Sequence, residues 1–267
     1  MADMIFYKAV LAAGLAGAGC GLAGVFIYLM NIPFIGVAIA HAAMAGGIWG
    51  VIFGFPAKAS AYAAALISSF AIGPVADRSK TGANITLSIV FSFVMGLAFL
   101  GVGLAEGKNQ LVMNFIWGNI LMAGWAEISM MTAILTAASA LIAVFFRQYS
   151  AMLFSRELAA STGINDKLLF YALLALIGGI ITVNLDTIGG LMLFSIIITP
   201  PAIAYQFTFD LKKFFIISAL SGALGAGAGV ALAFAFDLPV SATAVIFMTL
   251  IFFVSVIFSP KRMKYGA

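Results

Sequence analysis

The chain has 267 residues, of which 64% are hydrophobic and 8% charged, and its mean hydropathy is +1.18. Soluble domains carry about 25% charged residues, so this composition excludes a water-coated globule and makes lipid the solvent. The net charge of +4 does not imply nucleic-acid binding, because basic residues of membrane proteins gather in cytoplasmic loops.

A crossing takes roughly 20 apolar residues. Apolar segments run over 7–30, 34–54, 57–76, 84–105, 126–146, 168–186, 188–207, 214–236 and 240–258. They are too long, and too poor in alternation, for a membrane β-barrel. The expected fold is an all-α polytopic membrane protein of eight or nine transmembrane helices, one domain over 1–267 with no soluble module. "MADMIFYK" enters the first segment without a small-residue cleavage site, which predicts no removable signal peptide.

The first segment holds "GLAGAGCGLAG" (14–24) and the single cysteine, Cys20. Small residues at this spacing let helices approach closely in lipid, and one cysteine cannot form an intrachain disulfide. The second segment holds the single histidine, His41, with Met44 about one turn on and on the same face. His41 reads either as a hydrogen-bonded packing group or as a metal ligand. A thioether at Met44 would suit a soft or borderline ion, and a symmetric dimer could bring two such imidazoles towards one axis. Asp77 and Arg78 end the third segment. Residues 106–125 predict an outer loop with a short interfacial helix, Trp117 and Trp125 suiting the water–lipid boundary.

Glu127 opens the fifth segment, in a capping position. Residues 147–167 form the longest loop, and "SRELAASTG" (155–163) within it reads as a short helix. Ser155 would cap it, Glu157 lies in its first turn and Gly163 ends it. It is either a docking element for a soluble partner or an ordinary surface helix. Asp186 falls between the sixth and seventh segments and Asp237 between the eighth and ninth, both as turn and capping residues rather than ligands. "IITPPAIA" (197–204) places Pro200 and Pro201 in the seventh segment. Irregular backbone there is tolerated beside protein or a water-filled cavity, so this is either a path-lining break or a kinked packing helix. "SGALGAGAGVALA" (221–233) repeats the small-residue pattern. No GxxxxGK[ST], HExxH or GxSxG occurs, so no catalytic site is expected.

Ten basic residues fall on one face when the C-terminal "KRMK" is taken as cytoplasmic, against Lys8, Lys58 and Lys108 on the other. The bias predicts nine crossings with the N-terminus outside. One re-entrant segment would make it eight, with the N-terminus inside.

These motifs resemble the ABC-3 family of permeases, the membrane subunits of zinc, manganese and iron ABC importers. "GVAIAHAAMAGGIWG" is similar to a family stretch of the type "GDAISHAALPGVALG", through Gly36, His41, Ala42, Ala43 and Gly46. "GGLMLFSIIITPPAIA" matches through Gly190, Leu191, Ser195, Pro201 and Ala202, and "FIWGNIL" through Gly118, Ile120 and Leu121. "DLPVSATAV" matches through Asp237, Leu238, Pro239, Ala242 and Thr243, and "SRELAASTG" through Glu157, Ala159 and Gly163. The resemblance implies a type II importer-like permease in the cell membrane, working as a homodimer on two ATP-binding subunits. An extracytoplasmic substrate-binding protein would deliver a divalent metal ion, ATP would be used by the partner subunit, and this chain would bind no cofactor. His41 and Met44 then mark the metal path. Gly36, Gly190, Ser195, Pro200 and Pro201 line it, and Asp186 and Asp237 sit in outer-face turns. Residues 152–163, with Ser155, Arg156, Glu157, Ala159 and Gly163, couple to the ATPase. Two positions depart from the family: Val37 stands where it has an aspartate four residues before the histidine, and Ser155 replaces the coupling aspartate. Loss of that oxygen ligand favours zinc or iron over manganese. The rival readings are an ion-gradient-driven secondary transporter, for which no buried acid pair or repeat is seen, and a purely structural membrane subunit.

Overall fold

The computed structural model describes residues 2–78, 83–105 and 117–261. Among these there is no strand. The helices are α1 (Ala2–Leu29), α2 (Pro33–Phe53), α3 (Ala57–Arg78), α4 (Ala83–Leu104), α5 (Trp125–Val144), α6 (Phe146–Phe154), α7 (Arg156–Ser161), α8 (Asp166–Phe207), α9 (Leu211–Ala235) and α10 (Val240–Ile257). A 3₁₀ turn, Ile120–Met122, precedes α5. Seven of the helices are long and apolar enough to cross a membrane, and α3 matches them in length.

Local chemistry sets the ends of these rods. Pro33 starts α2, where its missing N–H costs nothing. Asn31, at φ 54°, closes the turn before it, with the Ile32 N–H donating to Ile27 O at 3.1 Å. Glu127 Oε2 accepts from the Gly124 N–H at 3.1 Å, as its capping position foretold. Asn165 caps α8 and Asp210 caps α9, each accepting from the N–H three residues on. Asp237 makes the turn after α9 at φ 52°, but the residue that caps α10 is Pro239, which has no side-chain bond to offer.

Helix α8 has 42 residues. Straight, it would measure about 63 Å, twice the roughly 30 Å of a hydrocarbon core. It doubles back at Gly189, whose φ of 77° and ψ of 159° suit glycine alone. The neighbours prove the reversal. Gly178 on one limb faces Ile39 of α2, while Ile197 on the other faces Gly36, less than one turn away on the same helix. In a straight rod, positions 178 and 197 would lie about 28 Å apart. The sixth and seventh sequence segments are therefore the two limbs, and the turn falls at Gly189 rather than at Asp186. With this break, consecutive long rods alternate in direction, nine among the described residues.

The tip of this hairpin is held by backbone. Gly118, also at positive φ (75°), lies directly on Ile188 and Gly189, and neither glycine has room for a Cβ. The Asn119 N–H donates to Thr187 O at 2.9 Å, and Ser241 Oγ donates to Trp117 O at 2.9 Å. Beside the tip, Lys58 bridges Asp186 at 3.0 Å and Glu127 at 3.2 Å. Asp186 is thus an ion-pair partner inside a helix, not a cap.

The core is built around α1. Gly17 meets Gly222 of α9 backbone to backbone, and Ser218 Oγ donates to Gly21 O at 2.7 Å. Gly24 packs on Ile197 and Pro201 of α8. Cys20, on the same helix, is buried. Lipid offers no hydrophobic drive between helices, so close contact of this kind is what holds them. Lys8 lies over the Trp125 ring at 5.2 Å, at the end that also carries Lys58 and Trp117. Arg147, Arg156, Lys212 and Lys261 lie at the opposite end, the one that the basic bias predicts to face the cytoplasm.

Gly189→Ala should combine a left-handed backbone penalty with a clash against the Trp117 carbonyl, and should lower stability by about 1–3 kcal/mol or more. Gly96→Ala, which meets nothing within 4 Å, should be neutral or slightly stabilising. Thermal unfolding of the two variants in one detergent provides the measurement.

Candidate functional site

α2 carries His41 at the edge of a cavity of about 380 Å³ between α2, α4 and the descending limb of α8. His41 is half-buried. Its Nδ1 lies 2.8 Å from the carbonyl of Val37, one turn back. A carbonyl only accepts, so the neutral ring carries its proton on Nδ1 and leaves a lone pair on Nε2. The Phe91 ring of α4 stands edge-on to the imidazole at 4.9 Å.

Val37 and Met44 line the same cavity from α2, Met95 and Phe99 from α4, and Gly190 from α8. Every lining side chain except His41 is apolar. The donors available are therefore one imidazole nitrogen and two thioethers. The pairing of His41 with Met44 follows from helical spacing. Met95 was not foreseen, because it arrives from another helix and nothing local in "SFVMGLAF" sets it apart. Among the described residues, no group of three or more His, Cys, Asp or Glu side chains is placed to hold a metal.

The other residues assigned to the path by resemblance lie elsewhere. Gly36 is pressed against Ile27 and Ile197. Ser195 lies 3.5 Å, hydroxyl to hydroxyl, from Thr199. Pro200 packs towards Gly222 and accepts from Ser221 Oγ at 3.4 Å, and Pro201 packs on Gly24. Only Gly190 of this group reaches the cavity, while the prolines serve the contacts of α8 with α1 and α9.

At the outer end, Lys58, Glu127 and Asp186 border a second cavity of about 480 Å³, together with Tyr62 and Thr182. The one ammonium group contacts both carboxylates there, leaving the trio with one net negative charge. Asp237 is exposed, in the turn after α9, and does not line this cavity.

At the inner end the loop 147–167 contains two helices rather than one. α6 precedes the expected element, and Ser155 forms the extended elbow between them, its carbonyl accepting the first bond of α7 from the Ala159 N–H at 3.0 Å. Gly163 ends α7 at φ 84°, with the Ile164 N–H donating to Ala159 O at 3.2 Å. Arg156 Nη2 donates to Asp166 Oδ2 at 3.3 Å, and its guanidinium lies 4.4 Å from the Phe170 ring centroid. Ala159 is buried and faces the protein. Phe154, at the elbow, is 83% exposed. The side chains of Asp77, Arg78 and Glu157, and residues 106–116 of the expected interfacial helix, lie outside the described residues.

A chain of this architecture has solved counterparts. The fold matches a structure of PsaBC from Streptococcus pneumoniae in complex with Fab, with a TM-score of 0.84 and 24% identity over 97% of this chain and 93% of that one. The sequence is 28% identical to the manganese transport system membrane protein MntC of Listeria monocytogenes, over 96% of this chain and 91% of the relative. It is 24% identical to the chelated iron transport system membrane protein YfeC of Yersinia pestis, over 96% of this chain and 86% of the relative. Residues 2–259 match the ABC 3 transport family as a whole, so this multi-pass membrane protein belongs to that family.

Proposed function

We propose that this chain is the permease subunit of an ATP-driven importer, passing a divalent transition-metal ion, zinc or iron ahead of manganese, into the cytoplasm. It works as one membrane domain over 1–267. Two copies form a homodimer, two ATP-binding subunits dock on the inner face, and an extracytoplasmic binding protein loads the outer face. Hydrolysis takes place in the partner, and this chain binds no cofactor. Family membership and the metal systems for which the relatives are named support the transport class over an ion-gradient-driven carrier.

The observation that carries the choice of ion is the donor set at His41. The Listeria relative is named for manganese, an ion that favours oxygen ligands. Here Val37 replaces the family aspartate and lines the cavity beside His41, Met44 and Met95. Nitrogen and sulfur donors suit zinc or iron better. One imidazole in an apolar cavity cannot offset the desolvation of a doubly charged ion. Two protomers facing each other would double the donors and still bind weakly enough to release the ion, as a path must.

His41→Ala should reduce zinc or iron uptake at least tenfold in proteoliposomes containing the partner subunits, without changing the amount of folded dimer. Val37→Asp should raise manganese uptake relative to zinc several-fold. Unchanged uptake in the first variant would remove His41 from the path, and an unchanged ratio in the second would remove position 37 from ion choice.

The inner elbow is the proposed coupling segment, within 152–163. Ala159 and Arg156 hold it together from the inside, and exposed Phe154 offers the apolar knob for docking. Phe154→Glu should abolish transport-stimulated ATP hydrolysis while the permease retains its unfolding midpoint. Full stimulation in that variant would place docking elsewhere.

A further inference from the structure

We propose that an inner-face groove between α1, α5, α6 and α9 binds one anionic phospholipid of the cytoplasmic leaflet. The groove encloses about 620 Å³. Leu22, Ile142, Phe215 and Ile216 form its apolar wall, and Arg147 and Lys212 stand at its rim. Along α5 it runs from Ser139 to Val144, about 8 Å at the helical rise, a length of wall suited to the upper part of an acyl chain.

The charges select the ligand. No acidic side chain lines the groove. Among the described residues, neither Arg147 nor Lys212 has an ion-pair partner. Asp210, two residues from Lys212, has its carboxylate turned to the N–H of Lys213 at 2.9 Å. Lys212 Nζ lies 5.6 Å from the Phe146 ring centroid, which holds it towards the rim. Both cations are exposed.

Position in the bilayer agrees. Arg147 is the second residue of α6, just past the end of α5, and Lys212 lies in the first turn of α9, so both occupy the level where spanning helices leave the hydrocarbon. That level is the inner face, whose leaflet carries anionic headgroups. Basic pockets between transmembrane helices on this side recognise such headgroups. Apolar wall below and paired cations above match a phosphodiester with its acyl chains, and match a water-soluble anion less well.

The purified full chain is mixed with equimolar phosphatidylglycerol and phosphatidylcholine, and the retained lipid is read by native mass spectrometry. Phosphatidylglycerol should be retained selectively. Arg147→Ala combined with Lys212→Ala should weaken its retention about thirtyfold. Lys213→Ala, which removes a neighbouring charge outside the lining, should stay within twofold. Ser139→Trp, which fills the apolar end without changing charge, should also lower retention. Equal retention of both lipids, or an equal loss in Lys213→Ala, would overturn the assignment. So would complete displacement by millimolar inorganic phosphate, which would make the occupant a free anion.

Discussion

At Gly189 the helical chain turns back within a single residue, and Gly118 closes over the turn with its own backbone. Hydrocarbon offers no partner for a freed N–H or C=O. The tip lies at the outer end beside Lys58 and Trp117, and there the reversal is covered by another backbone rather than by lipid. The arrangement brings the second limb of α8 back alongside the first and sets Gly190 opposite His41. The tip and the cavity therefore depend on one contact between two residues that lack side chains.

The rest of the bundle follows the same economy. α1 meets α9 through Gly17 and Gly222 and meets α8 through Gly24. Small residues give up side-chain volume and gain backbone proximity, which is what helix association in lipid rewards. Polar side chains are then placed with little redundancy. Ser218 joins α9 to α1, Lys58 joins α3 to α5 and α8, and Arg156 joins α7 to α8.

Much of this was legible in the sequence, for a physical reason. Hydropathy marks each rod, because lipid demands an unbroken apolar run, and basic residues mark the inner face. The limits appear where identity depends on a neighbour brought from elsewhere. Asp186 looked like a turn residue, but the turn needs positive φ and falls on Gly189, and Asp186 is claimed by Lys58 from α3. Pro200 and Pro201 left a path-lining break and a kinked packing helix both open, and their rings fill the seams with α9 and α1. Met95 joins the His41 cavity across a helix boundary that no local pattern reports. α6 was hidden because its amphipathic "FRQYSAMLF" interrupts the hydropathy signal without imitating a crossing. The inward face of Ala159 could not be told from its outward one in a helix of six residues.

Arg156 deserves a mechanical reading. It binds Asp166 and stacks on Phe170 at the foot of the ascending limb of α8, while the head of that limb is pinned under segment 117–122. The limb is a stiff strut with a fastening at either membrane face. Tilting it would displace both fastenings together, so the inner elbow and segment 117–122 share a single lever.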